Sequence, residues 1–155
     1  TVPITNDTQD EPNETVKLAL TGANGVHVGA RAAAVLTITD NDIAGTIAFS
    51  APVFTIGERG ANAVVTVTRT GGAASEVTVD YASADGTATA SSDYTTVSGT
   101  LVFAAGETVK TITVPIQNDT DVEASETVLL TLANPSFGAV LGGQKRAAVV
   151  ILSED

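Results

Sequence analysis

The 155 residues contain no cysteine, no methionine and no tryptophan, and a single histidine, His27. Without cysteine, disulfides, thiolate zinc sites and cysteine nucleophiles are excluded, and the redox state of the compartment is left open. Aromatic residues make up only 4%. The core therefore has to be built from Val, Ile, Leu and Ala, and there is no aromatic platform on which a sugar could stack. Basic residues are scarce, seven against eighteen acids, for a net charge of −11. Such a surface repels phosphate backbones, which argues against a nucleic-acid partner, and it attracts cations. No apolar run approaches the roughly 20 residues a bilayer span needs, so no membrane insertion is expected of this segment.

What is present is a set of short apolar runs, rich in Val, Ile and Thr, bounded by Gly, Asn, Asp, Ser or Pro. That composition and punctuation favour strands over helices. Strands are expected at 1–4, 14–20 and 33–39, then at 46–49, 53–56, 62–69, 76–84, 100–103, 108–116, 126–132 and 146–152. Pro52 interrupts the first run of the longer set, as in an edge strand that shifts between sheets. The long polar stretch DGTATASSDYTTVS, 85–98, is a loop. From residue 45 on, about seven strands in about 110 residues with no helical periodicity fit an all-β, immunoglobulin-like antiparallel β-sandwich.

The chain also repeats itself. TVPITNDTQDEPNE (1–14) returns as TVPIQNDTDVEASE (113–126), an offset of 112 residues. The match runs on through TVKLAL and TVLLTL. After a one-residue gap, AVLTITDND (34–42) pairs with AAVVILSED (147–155). Residues 43–112 have no upstream counterpart. The reading is a complete unit over 45–155, preceded by the second half of a like unit over 1–44, as if cut from a tandem array. The connection Asp40-Asn41-Asp42-Ile43-Ala44-Gly45 is too short to act as a flexible linker.

Of the eighteen acids, all but Glu76, Asp80 and Glu107 fall in or beside turns. In a sandwich, alternate loops share one end. Glu58 follows the first strand of the complete unit, Asp93 sits in the loop after the third, Asp119 to Glu123 follow the fifth, and Glu154 and Asp155 follow the seventh. These carboxylates are expected to converge. At about 4 Å and an effective dielectric of about 20, each close pair costs on the order of 4 kcal/mol. A hard divalent cation with oxygen ligands removes that cost at neutral pH. Ca2+ suits irregular ligation from several loops better than magnesium, and zinc would want His or Cys.

Other constellations carry less. Asp119-x-Asp121-x-Glu123 imitates the start of a helix-loop-helix calcium loop, but Ala124 stands where that motif needs Gly and the twelfth-position Glu is missing. A carboxylate pair for glycoside hydrolysis would sit inside a like-charged cluster, and His27 has no nucleophile partner, so no enzyme activity is expected. Asp85-Gly86 reads as turn chemistry. Lys145-Arg146 reads as solvated edge charge, and the sequons at Asn6, Asn13 and Asn118 as incidental.

At TIGERG (55–60), VTVTRTGG, ADGTATASSDY, GTLVFAAGE, TVPIQNDTDVEASETV and AVVILSED the chain resembles a Calx-β domain, a calcium-binding β-sandwich repeat. The resemblance covers residues 45–155, and residues 1–42 resemble the second half of the same unit. It implies metal ligands at Glu58, Asp93, Asp119, Glu123, Glu154 and Asp155, with Asp121 contributing through its side chain or carbonyl. Asn118 and Ser153 stand where the fullest sites have acids, which implies one or two calcium ions. In the half unit Asp7, Glu11, Asp40 and Asp42 remain as a partial or junction site, without partners for Glu58 or Asp93. The leading expectation is a calcium-stiffened structural repeat of a large extracellular or cell-surface, adhesin-like protein. Its partners would be neighbouring repeats and, through the half unit, other copies of the chain. Two alternatives stand beside it: a regulatory calcium sensor of a membrane transporter, and a metal-independent adhesive module completed by a neighbouring chain.

Overall fold

The computed structural model describes residues 1–155 apart from Ala23, Val26, Asp121, Phe137, Glu154 and Asp155. Among the described residues there is no helix. Two strands, β1 (Glu14–Ala19) and β2 (Ala33–Ile38), form an antiparallel pair in the half unit. Nine strands follow: β3 (Thr46–Phe49), β4 (Val53–Gly57), β5 (Asn62–Thr70), β6 (Val77–Asp85), β7 (Ser98–Phe103), β8 (Val109–Pro115), β9 (Glu126–Ala133), β10 (Val140–Leu141) and β11 (Arg146–Leu152). They make two sheets, β10-β3-β5-β8 and β4-β11-β9-β6-β7, which is the sandwich expected from the alternation.

The period-two pattern sets the layers. On β5, Ala63, Val65 and Val67 point inward and are buried, while Val64 and Thr66 point away. Ile47, Phe49, Ile112 and Val114 complete that inner face. Val77, Val79, Phe103, Val128, Leu130, Leu132, Val149 and Ile151 supply the facing one. Tyr94 lies fully buried in the same core.

The interruption at Pro52 does what its position suggests. β3 pairs with β5 in one sheet, and β4, which three residues separate from Phe49, pairs in parallel with β11 in the other. This crossing fixes where Glu58 emerges. Gly57 is in register with Leu152, and the Glu58 N–H donates to the Leu152 carbonyl at 2.9 Å.

Two expectations are corrected. Splitting of the first strand and the short β10 raise the complete unit from about seven strands to nine among the described residues. Residues 1–4 are not a strand. Their counterparts at 113–115 lie in β8, where they pair with Asn62–Val64 of β5, and the half unit has no β5 to pair with.

At the junction the chain is tightly bound. The Asp10 carboxylate accepts the Ala44 N–H at 2.9 Å, and the Asp10 N–H donates to Ser75 Oγ at 2.9 Å. Arg69, the inward residue at the end of β5, is 1% exposed. Its Nε donates to the Ala44 carbonyl at 2.6 Å, and its other nitrogens reach the carbonyls of Ala74, Ser75 and Ala104. A guanidinium carries its five donors in a rigid fork, so one buried cation satisfies a ring of loop carbonyls.

Candidate metal centre

Four segments converge at the end of the sandwich away from that junction. β4 delivers Glu58, the 85–98 loop delivers Asp93, the chain after β8 delivers Asp119 and Glu123, and β9 begins on Glu126. One carboxylate oxygen from each of Asp93, Asp119 and Glu123 lies within 4.8 Å of the other two. Glu58 is 6% exposed, and its Oε1 accepts the Asp119 N–H at 3.2 Å. These four of the residues expected to converge do so.

The loop holding Asp93 is pinned on both sides. Asp93 Oδ2 accepts the Thr89 N–H at 2.6 Å, and the Asp93 carbonyl accepts the Gln117 N–H at 2.9 Å. Next to it, the Tyr94 hydroxyl donates to Asp85 Oδ1 at 2.7 Å, and the Ala90 N–H donates to the same oxygen at 3.1 Å. Burial first, and then the Asp85 carboxylate, push the Tyr94 hydroxyl up to about 12. Asp85 therefore serves the loop rather than the cluster.

Glu126 is the residue that sequence reasoning missed. It was visible among the turn acids but reads as the start of a strand. The β9–β11 register sets Glu126 opposite Ile151, so its carboxyl turns into the same small cavity as Glu58, Asp93, Glu123 and Ser153. Burial, a hydrogen bond shared with Asp93, and the charges of Asp93, Glu123 and Glu58 push its pKa up to about 7. Burial is the largest of these causes, and the neighbouring carboxylates push in the same direction. The internal repeat places Glu14 at the position equivalent to Glu126, as it places Asp7 at Asp119 and Glu11 at Glu123, and that is the sequence signal that could have pointed to it.

The donor set fits a hard cation. It is all oxygen, and the cavity it lines measures about 10 Å3, room for one water-sized species. Ser153 Oγ, at the rim of that cavity, is buried without a hydrogen-bond partner. A buried hydroxyl in that state calls for a ligand or water in the cavity beside it. Asp121, Glu154 and Asp155, also expected as ligands, lie outside the described residues.

The half unit does not repeat the arrangement. Asp7, Glu11, Glu14, Asp40 and Asp42 line one groove, yet among the described residues their carboxylates form no trio like that of Asp93, Asp119 and Glu123. Asp40 Oδ2 is engaged by the Glu11 N–H at 3.0 Å, and Asp7 Oδ1 by the Gln9 N–H at 2.9 Å. Asp7 chiefly, with some burial and then Glu14 and Asp40, raises the Glu11 pKa. The repulsion is present, but the two carboxylates that β4 and the 85–98 loop bring to the complete unit, Glu58 and Asp93, have no counterpart in residues 1–44.

The fold and the cluster together define a class: a β-sandwich whose loop tip gathers carboxylates. By sequence the chain belongs to the Calx-beta domain family, whose model matches residues 40–155. It is 36% identical over 109 residues to sodium/calcium exchanger 1 of Canis lupus familiaris, a match covering 70% of this chain and 11% of the exchanger. The chain thus spans about a ninth of that relative. Among solved structures it resembles the apo-form Calx CBD1 domain, with 30% identity and a TM-score of 0.69 over 71% of this chain and 97% of that one. It also resembles the calcium binding domain CBD12 of CALX1.1, with 30% identity and a TM-score of 0.68 over 70% of this chain and 46% of that one.

Proposed function

We propose that this chain is a calcium-binding module of the regulatory kind found in sodium/calcium exchangers. The observation that carries the reading is the meeting of Asp93, Asp119 and Glu123 oxygens within 4.8 Å, with Glu58 and Glu126 behind them. Asp93, Asp119 and Glu123 would hold the ion directly, Glu58 and Glu126 would complete its charge balance, and Ser153 Oγ offers a neutral oxygen. A bound cation would supply positive charge to the cluster. The residues do the rest: the fold brings four segments distant in sequence to one point, and a bound cation would offset the repulsion among their carboxylates. Ligands from separate loops give the high, irregular coordination that calcium accepts and magnesium resists.

The relatives favour this regulatory alternative over the leading expectation of an extracellular adhesin-like repeat. Most are exchangers or calcium binding domains by name, although Adhesion G-protein coupled receptor V1 of Danio rerio matches as well, and ligand-dependent stiffening of a loop tip is what a sensor requires. Among the described residues no helix is long and apolar enough to cross a membrane.

Calorimetric titration tests the reading. Calcium should bind with measurable heat, magnesium more weakly, and Glu123→Gln should lower calcium affinity by roughly tenfold or more, since 1.4 kcal/mol is tenfold. Equal affinity of the wild type and Glu123→Gln for calcium would sink it.

A further inference from the structure

Thr127, the second residue of β9, commits its polar groups to the start of the 85–98 loop. Its carbonyl accepts the Gly86 N–H and the Ala88 N–H, both at 3.1 Å, which fills both lone pairs. Its hydroxyl accepts the Thr87 N–H at 3.1 Å, and its own N–H donates to Thr87 Oγ1 at 2.9 Å. The two hydroxyls lie 3.3 Å apart, so one donates to the other. The approach leaves no space for a side chain at residue 86. A Cβ there would stand 2.4 Å from the Thr127 carbonyl oxygen, so the loop can leave β6 along this path only with glycine.

Both sides of this tie lead to the acidic cluster. On one side Thr127 directly follows Glu126 along β9. On the other, the buried Ala88 precedes Thr89. The Thr89 N–H donates to Asp93 Oδ2 at 2.6 Å, and the Thr89 carbonyl accepts the Asp93 N–H at 3.0 Å. The hydrogen bond shared by Asp93 and Glu126 then closes a ring that runs through Thr127, Ala88 and Thr89. Two carboxyl groups whose charges repel are thus held side by side by neutral contacts outside their cavity. Threonine suits the task, because its branched Cβ restricts χ1 and so aims the hydroxyl. Thr87 is exposed and Thr127 half-buried, so water can reach the backbone donors if a hydroxyl is removed.

We propose that Thr127 and Thr87 are positioning residues of the candidate metal centre: their paired hydroxyls hold Asp93 against Glu126, so that both groups are in place before a cation arrives. The role rests on the reading of the cluster as a calcium site. Both threonines act through Asp93 and Glu126 and not as ligands. Partners that orient metal ligands from outside strengthen binding, and losing one typically costs about 10–100-fold in affinity.

Calorimetric titration of the full chain with calcium, beside amide hydrogen exchange in chelator, tests the role. Thr127→Val keeps the branched shape, removes the hydroxyl and should lower calcium affinity about tenfold. Thr127→Ser keeps the hydroxyl and should bind as the wild type does. Thr87→Val, in the exposed partner, should match Thr127→Val, and the double variant should lose no more than either alone, because both remove one shared contact. In chelator, exchange at Ala88 and Thr89 should quicken in the valine variants, although neither substitution removes the acceptor of those two amides. Valine variants that bind calcium as tightly as the wild type overturn the proposal. So does a loss that Thr127→Ser shares, or unchanged exchange at Ala88 and Thr89. A wild-type chain that takes up no calcium overturns the calcium reading itself, and this role with it.

Discussion

Glu58 and Asp119, 61 residues apart in sequence, are joined by a hydrogen bond of 3.2 Å from the Asp119 N–H to Glu58 Oε1. The bond ties the end of β4 in one sheet to the chain leaving β8 in the other. It also places a buried carboxylate directly behind the proposed ion. Glu58→Gln keeps an acceptor for that N–H and removes only the charge. Calcium affinity should fall by roughly tenfold or more while the metal-free protein melts no lower than wild type, since a source of repulsion is gone. Parallel titration and melting of the variant check this, and a large drop in metal-free stability would show that Glu58 is needed for the fold instead.

Calcium itself should stabilise the fold by mass action. At a free concentration one hundred times the dissociation constant, the gain is about 2.7 kcal/mol, which for a unit of this size raises the melting temperature by roughly 10 °C or more. A chelator should reverse the rise. Melting curves that coincide with and without calcium would contradict the assignment.

The raised pKa of Glu126 sets a pH dependence whose sign follows from linkage. Its folded value of about 7 lies above the ordinary 4.5, so the folded state holds the proton more tightly than the unfolded chain. In the metal-free protein this contribution is fully present below about pH 4.5 and is lost as pH rises through about 7. Metal-free stability should therefore decline between pH 5 and 8, while calcium affinity increases over the same range because the ion displaces that proton. Glu126→Gln should flatten both trends, as read by melting with chelator and by titration at several pH values.

Tyr94 should matter through its hydroxyl as well as its ring. Tyr94→Phe leaves the Asp85 carboxylate with one donor fewer and should cost about 1 kcal/mol, whereas Tyr94→Ala opens the core and should cost about 3–5 kcal/mol. Denaturant unfolding distinguishes the two. Calcium affinity should fall in both, since Asp93 is the next residue along.

Arg69 should be the least replaceable cation in the chain. Arg69→Met removes the donors serving Ala44, Ala74, Ser75 and Ala104 and strands their carbonyls, at about 2–4 kcal/mol. Arg69→Lys should rescue little, because an ammonium cannot reach the same ring of acceptors. Limited proteolysis near Ile43 and Ala44 should accelerate in both variants.

Much of this was legible beforehand because it depends on local pattern. The alternation in Asn62–Thr70 and Glu126–Ala133 marks inner and outer faces directly, and Pro52 marks the crossing between sheets, since proline cannot donate to a ladder. The convergence of Glu58, Asp93, Asp119 and Glu123 followed from counting loops in a sandwich. Residues 1–4 misled for the opposite reason. Their sequence is that of a strand, but a strand exists only when another pairs with it, and residues 1–44 contain no equivalent of β5.

The amino-acid order alone determined the all-β class, the internal repeat and the gathering of acids into turns, because each is written in spacing and composition. Only the tertiary structure decided that Glu126 joins the cluster near neutrality, that Arg69 spends its charge on carbonyls at the junction, and that Thr127 ties the Asp93 loop to β9. Those outcomes depend on register and on which neighbours exclude water, and neither is a property of any residue taken by itself.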